Sequence, residues 1–189
     1  MSNNKKNIRI SILLRVISLV ILLVSFVIPL CPAITMTSGD VKKTYGSCYS
    51  FIFGGKINSS NISYSAKGLS GLAMSGFIIL IISFIIICIS FFVKDDIVKR
   101  PLFVFIGLVM IIISSIFFAS LHRSFSGILA DSLINGHSDA VSNNVYNNTN
   151  MEFGVWGITF FGFISSFLLL ASLIFDGTFD RIRSKIGFI

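Results

Sequence analysis

The most reactive side chains in this sequence are those of its three cysteines, Cys31, Cys48 and Cys88. A membrane thiol oxidoreductase passes electrons through a Cys-x-x-Cys pair, and no two of these cysteines have that spacing. Cys31 and Cys48 both follow the first apolar run, where an oxidising compartment would allow a structural disulfide. The pattern therefore excludes a redox motif and makes Cys31 and Cys48 a candidate disulfide, while Cys88 is interpreted as inert packing.

Metal and acid–base chemistry lack their usual patterns. His122 and His137 are the two histidines, and they do not have the His-x-x-x-His spacing of a helical zinc site. The adjacent Asp95 and Asp96 lack the further oxygen ligands that a hard cation requires. Because no group of titratable residues converges in the sequence, we predict no catalytic residue, no metal site and no cofactor, and hence no enzyme.

Arg15 is the charged residue that lies deepest inside a predicted membrane span. It lies near the cytoplasmic end of that span, so its long side chain can reach the lipid headgroups. Arg181 and Lys185 lie in a C-terminal tail, residues 176–189, whose apolar residues share another helical face. The sequence therefore predicts headgroup contacts for Arg15, Arg181 and Lys185, with partner binding as the alternative for the tail.

The composition indicates that much of the chain is surrounded by a lipid bilayer rather than by water. Hydrophobic residues make up 54% of the chain and charged residues 12%, against about a quarter charged in soluble domains. Four continuous apolar runs, residues 8–30, 69–93, 101–121 and 153–175, are each long enough to cross a hydrocarbon core about 30 Å thick. Continuous runs favour helices over a barrel, whose strands alternate apolar and polar residues. We predict an all-α membrane protein, a single four-helix bundle over residues 1–189.

A cleaved signal peptide ending near Cys31 is the alternative interpretation of the first run. The apolar part of that run is longer than the roughly 7 to 15 residues usual in signal peptides, which favours a retained span.

The basic residues give the spans a direction. Five of them, Lys42, Lys43, Lys56, Lys67 and Arg123, fall on one side of the predicted membrane, and the other ten, Lys5, Lys6, Arg9, Arg15, Lys94, Lys99, Arg100, Arg181, Arg183 and Lys185, fall on the opposite side. The side richer in Lys and Arg is cytoplasmic. Both termini and the inner loop 94–100 are therefore predicted on the cytoplasmic side of a cell membrane. The loops 31–68 and 122–152 are predicted on its outer side. Juxtamembrane residues also explain the net charge of +7, so no nucleic-acid partner is predicted.

The first outer loop has the pattern of a small antiparallel sheet. Ala33 to Thr37 alternates, Ser38-Gly39-Asp40 is a turn signal, and Val41 to Tyr45 can return as a second strand. Tyr49 to Phe53 and Ile62 to Ser65 are further candidate strands. Tyr49, Phe51 and Phe53 are the predicted outer interaction surface. After the third span, apolar residues at helical spacing predict that its helix continues outward, and the Asn-rich run 143–150 predicts a flexible loop.

Two partial resemblances follow. The order of Pro29 and Pro32, Ser38-Gly39-Asp40, then Tyr49-Ser50-Phe51-Ile52-Phe53-Gly54 resembles a loose group of uncharacterised four-span membrane proteins of AT-rich bacteria, and implies no known activity. The architecture is also similar to the claudin-type tetraspan plan, which implies a four-helix bundle with an extracellular sheet. The claudin signature of a Trp, a Gly-Leu-Trp and two cysteines in that loop is missing, because Cys48 stands alone there and Trp156 lies in the fourth span.

The expected function is that of a non-enzymatic membrane protein, a surface-exposed accessory, scaffold or interaction protein. Its expected partners are the lipid bilayer and another membrane or surface protein. Small residues four apart, such as Gly162 and Ser166, allow close helix packing within the bundle or in a homo-oligomer. The alternative is a protomer of an oligomeric channel or transporter.

Overall fold

The computed structural model describes residues 2–38, 40–59, 62–65, 69–93, 99–133 and 145–177. Its elements in chain order are α1 (Ser2–Val27), a 3₁₀ turn (Ile28–Leu30), β1 (Pro32–Ser38), β2 (Val41–Ser47), α2 (Cys48–Phe53), β3 (Lys56–Ser59), β4 (Ile62–Ser65), α3 (Gly71–Phe92), α4 (Lys99–Ala119), α5 (His122–Leu133), β5 (Thr149–Met151) and α6 (Phe153–Phe175).

Four segments are long and apolar enough to cross a membrane. They are Asn7–Leu30, Gly71–Phe92, Arg100–Ala119 and Phe153–Phe175. Since about 20 helical residues span the hydrocarbon core at 1.5 Å each, every segment meets the length requirement. The four-span prediction is therefore confirmed by length and composition, with ends that differ from the predicted ones by at most two residues.

The chain forms two compact units. Unit 1 contains Met1–Val24, Ile79–Ile113 and Phe161–Ile189, and unit 2 contains Ser25–Ile78 and Ser114–Phe160. Each of the four long helices contributes residues to both units.

Unit 1 packs apolar side chains together with serine hydroxyls. Ile87 and Leu169 are fully buried, and so are Ser83 and Ser172, whereas Phe167 is 71% exposed. A surface with large exposed apolar side chains and an interior that holds the polar ones is typical of a segment whose solvent is lipid. A Cβ on Gly107 would lie 2.6 Å from Ile87 Cγ1, so glycine is what allows α4 to approach α3 here.

Unit 2 contains two small antiparallel sheets. The first has the order β2-β1-β5, and the second pairs β3 with β4. In the first sheet Pro32 lies opposite Ser47, and Ile34 lies opposite Met151. The predicted strands in residues 33–37, 41–45 and 62–65 are confirmed. The third strand of the first sheet, Thr149–Met151, begins within the run 143–150 predicted to be a flexible loop, so that prediction is wrong for Thr149 and Asn150.

The segment from Tyr49 to Phe53 is helical, and its prediction as a strand is wrong. The Ser47 side chain accepts a hydrogen bond from the Ser50 amide, which caps the start of α2. Cys48, Phe51 and Ile52 then point inward at helical spacing and are fully buried. Gly54, with a φ of 75°, ends the helix in a conformation that favours glycine. Local capping thus outweighs the β propensity of the aromatic residues.

The helix of the third span stops rather than continuing outward. It ends at Ala119, and α5 starts separately at His122, where the Leu121 carbonyl accepts the first helical bond from the Phe125 amide at 2.9 Å. Phe125, Ile128 and Leu129 of α5 are buried at helical spacing. The predictions for Asp95, Asp96, His137, Arg181 and Lys185 concern positions outside the described residues.

Candidate functional site

The predicted interaction surface is mostly a packed aromatic cluster of unit 2. Phe51 is fully buried and stacks on Phe125, with ring centroids 4.5 Å apart. Tyr49 and Phe53 each make a T-shaped contact with Phe77, with ring centroids 5.6 Å apart. Only Phe53 of the three predicted residues is strongly exposed, at 53%. The helix therefore turns Phe51 inward, and the three side chains do not form one outward face.

The Tyr49 hydroxyl ties this cluster to the end of the first span. It donates to the Phe26 carbonyl at 2.5 Å. Burial, with a smaller contribution from the adjacent Cys48, raises the pKa of the phenol, which keeps its proton available for that bond. Tyr49 is thus a packing residue whose polar tip satisfies a helix-terminal carbonyl.

The cysteines are free thiols in the structure. Cys31 and Cys48 flank the paired residues Pro32 and Ser47 at one end of the β1–β2 ladder. Burial raises the pKa of Cys48 to about 12, so its thiol is protonated at neutral pH and is a poor nucleophile. The bond between Cys31 and Cys48 is not formed in the structure and stays a prediction.

His122 and Thr149 fasten β5 to α5. The His122 Nε2 lies 2.8 Å from the Thr149 carbonyl oxygen and 3.1 Å from its hydroxyl, and Ser126 Oγ lies 2.8 Å from the same hydroxyl. Since a carbonyl only accepts, Nε2 carries the proton and donates it. The imidazole therefore cannot act through this nitrogen as a base toward Thr149 or Ser126. The group resembles a nucleophile–base pair in residue types, but its geometry serves to hold the strand.

Glu152 fastens the start of α6 to the sheet. Its carboxylate accepts a hydrogen bond from Thr35 Oγ1 and lies 3.2 Å from Lys42 Nζ, and its amide donates to the Ala33 carbonyl at 2.9 Å. The Thr35 bond, helped by Lys42, lowers the pKa of Glu152 against the opposing effect of burial. A Cβ on Gly154 would lie 2.5 Å from the Cys31 carbonyl oxygen, so the helix start packs directly on this strand entry.

The outer edge of β2 is the most open part of this sheet. Val41, Lys42, Lys43 and Thr44 are all exposed, whereas Ala33, Ile34 and Thr35 of the central strand are fully buried. In the three-stranded sheet β2 pairs only with β1. An edge strand presents unpaired backbone groups that a partner chain can pair with.

Arg15 lies in the interior of unit 1. Its Nη2 is 3.1 Å from Asp176 Oδ2 and its Nε donates to Ser172 Oγ at 3.2 Å, while the side chain is only 1% exposed. This differs from the headgroup contact expected from the sequence, because a carboxylate just past the end of α6 neutralises the guanidinium inside the unit. The sequence signal was Asp176 itself, directly after the apolar run that ends at Phe175.

Within the described ranges, no three His, Cys, Asp or Glu side chains lie together in a group that could hold a metal ion. In unit 2, His122 and Ser126 bond to Thr149, and Thr35 bonds to Glu152, which holds β5 and the start of α6 in place.

No protein-family model, curated protein or solved structure matches the chain. The two resemblances inferred from the sequence therefore gain no support from relatives.

Proposed function

We propose that this chain is a non-enzymatic protein of the cell membrane that acts as an accessory, scaffold or interaction protein, binding another membrane or surface protein through unit 2. The observation that carries the proposal is the exposed edge strand β2 on a sheet that is fixed by side-chain bonds.

The chemistry of this edge suits an acidic partner segment. Addition of a strand to a sheet edge supplies main-chain hydrogen bonds, and the side chains supply specificity. Lys43 gives the edge positive charge, whereas Lys42 is paired with Glu152. The Lys43 charge disfavours pairing with the same strand of a second copy and favours a segment rich in Asp or Glu.

The rest of the sheet is organised before any partner arrives. The His122 and Glu152 bonds hold β5 and the start of α6 in place, and the buried aromatic cluster supports α2. A surface that is already ordered loses less conformational entropy on binding, so more of its contact energy appears as affinity.

The distribution of basic residues supports an outward position for unit 2. The five basic residues predicted outside, Lys42, Lys43, Lys56, Lys67 and Arg123, all belong to unit 2. Both termini are then cytoplasmic, as the excess of Lys and Arg on their side favours.

Photo-crosslinking in living cells tests the proposal. A photoreactive residue at Val41, on the exposed edge, is expected to give a protein adduct of discrete mass, identified by mass spectrometry. The same residue at Phe167, an exposed apolar position in α6, is the control and is expected to label lipid. Protein adducts at Phe167 with none at Val41 would contradict the edge as the binding surface.

The bonding of two buried serines in α3 favours this proposal over an oligomeric channel or transporter. Ser83 donates to the Leu80 carbonyl at 2.7 Å and Ser90 to the Ile87 carbonyl at 2.6 Å. Hydroxyls used in this way within their own helices do not offer a continuous polar path to a solute. Pure protein in liposomes is expected to show no ion flux above empty vesicles, and protein-dependent flux would support the channel instead.

A further inference from the structure

We propose that a polar groove of unit 2 binds the phosphate of an anionic membrane lipid that carries a hydroxylated headgroup. The groove has a volume of about 280 Å³ and lies between the β1–β2 hairpin, α2 and the start of β3. This inference concerns a ligand distinct from the protein partner proposed above, and it does not depend on that partner.

The lining of the groove has the chemistry of a phosphate site. Lys56 contributes an ammonium group, and Thr44, Ser47 and Ser50 contribute hydroxyls. None of the described residues that line the groove carries a carboxylate. The ion pairs of Arg15 with Asp176 and of Lys42 with Glu152 do not use the Lys56 charge. Because Ser50 donates its hydroxyl proton to the Lys56 carbonyl, the donors left for an anionic oxygen are the Lys56 ammonium and the Thr44 and Ser47 hydroxyls.

Backbone and side-chain bonds hold the frame of this groove. Ser50 Oγ donates to the Lys56 carbonyl at 3.2 Å, and Ser47 Oγ accepts from the Ser50 amide at 3.4 Å. Gly46 adopts a φ of +55°, and a Cβ there would lie 3.0 Å from the Phe51 ring. Glycine adopts this left-handed conformation without strain, so Gly46 suits the close approach of the hairpin to α2.

The position of the groove indicates a lipid. Leu30 is the last residue of the first candidate span and Pro32 begins β1, and both line the groove. The groove therefore lies where the chain leaves the apolar segment, at the depth of the headgroups. Leu30 is 65% exposed and offers an apolar surface for the start of an acyl chain.

The volume matches a headgroup rather than a whole lipid. A space of 280 Å³ holds about nine water molecules at about 30 Å³ each. A phosphate with a glycerol headgroup fits this space, with its acyl chains outside. Its hydroxyls can bond to Thr44 and the neighbouring serines, whereas a choline group offers no hydroxyl and brings positive charge toward Lys56.

Native mass spectrometry of the full chain in detergent tests the proposal, with phosphatidylglycerol and phosphatidylcholine added at equal concentration. Wild-type protein is expected to retain phosphatidylglycerol about tenfold more strongly, as one charge-assisted hydrogen bond allows. K56A is expected to remove the preference, and T44V, which keeps the side-chain shape, to reduce it severalfold. K43A is the matched control, since it removes a charge from the same hairpin without touching the groove, and it is expected to keep the preference.

Two results would overturn the site. One is an equal loss of the lipid preference in K43A and K56A, which would indicate diffuse charge, and the other is equal retention of both lipids by wild type.

The source of the phosphate is tested by adding glycerol 3-phosphate as a competitor. Displacement of the lipid only by a large molar excess supports a lipid ligand, whereas displacement at the lipid's own concentration would assign the groove to a soluble phosphate. Thr44 and Lys56 are exposed, and an unchanged melting temperature verifies that each variant folds.

Discussion

Arg15 and Asp176, 161 residues apart in the chain, form a salt bridge of 3.1 Å in which the arginine side chain is 1% exposed. The pair joins the first and last membrane segments of unit 1, and Ser172 takes a further guanidinium donor. A charge held in this way must be matched, because an unpaired guanidinium in an apolar interior is far less stable than a paired one.

Removal of the carboxylate should therefore destabilise the protein. D176N leaves Arg15 buried without its counter-charge, and we expect a loss of about 3 kcal/mol in the free energy of unfolding. The double variant R15M/D176L removes both charges and is expected to recover most of that loss. Thermal unfolding in detergent measures the stability of both variants. A D176N variant as stable as wild type would show that the ion pair does not stabilise the fold.

The pH dependence of unit 2 follows from Glu152. Its pKa is lowered in the folded state, chiefly by the Thr35 hydroxyl, so its contribution is complete above its ordinary pKa of about 4.3. That contribution decreases as the pH falls through this value toward the lowered one. Because Glu152 is the one glutamate of the chain, carbon-13 glutamate labelling gives a single side-chain carboxyl resonance to titrate.

The T35V variant provides the matched comparison. It removes the donor while keeping the side-chain shape, and we expect the Glu152 pKa to rise toward its ordinary range and the acid sensitivity of unfolding to decrease. A titration midpoint that is identical in wild type and T35V would contradict the assigned cause.

Much of this architecture could be predicted from the sequence, and the exceptions have identifiable causes. The four spans follow from continuous apolar runs, and β1 and β2 follow from alternation with a turn signal between them. The helix at Cys48–Phe53 could not be predicted, because its apolar and aromatic residues are typical of a strand. The Ser47 cap and Gly54 at its end are what favour a helix instead. Strand β5 could not either, since Thr149–Met151 becomes a strand by pairing with β1, a contact distant in sequence.

The candidate site was less predictable than the fold. Partners far apart in the chain, such as Thr35 with Glu152 and His122 with Thr149, carry no spacing signal. Arg15 is the unusual residue of the first span, but its partner Asp176 lies beyond the end of the last apolar run, in the segment predicted as the tail.

Gly154 allows the close approach between α6 and the entry of β1. G154A would bring a Cβ to 2.5 Å from the Cys31 carbonyl oxygen and 2.6 Å from that of Pro32. Both neighbours are backbone, so we expect a destabilisation of about 2 kcal/mol. The control is G127A in α5, where a Cβ meets nothing within 4 Å and alanine should stabilise the helix by up to about 1 kcal/mol. Equal effects of the two variants would contradict the packing described for Gly154.

Cys48 should resist alkylation in the folded protein. With C31S and C88S in place, it is the single remaining thiol, fully buried and with a pKa of about 12. A maleimide at pH 8 is expected to label it at least about tenfold more slowly than the same chain unfolded in denaturant, because little thiolate is present and access is blocked. Labelling at the unfolded rate, followed by mass spectrometry, would show that Cys48 is not buried.

The central proposal is that unit 2 lies outside the cell and binds its partner there. Single-cysteine labelling in intact cells tests this orientation most directly. In a background with C31S, C48A and C88S, the account predicts that a membrane-impermeant maleimide labels N147C without permeabilisation. It also predicts that K99C, near the predicted inner loop, is labelled only after the membrane is opened. Labelling of K99C in intact cells, with N147C protected until permeabilisation, would contradict the orientation and the proposed binding surface with it.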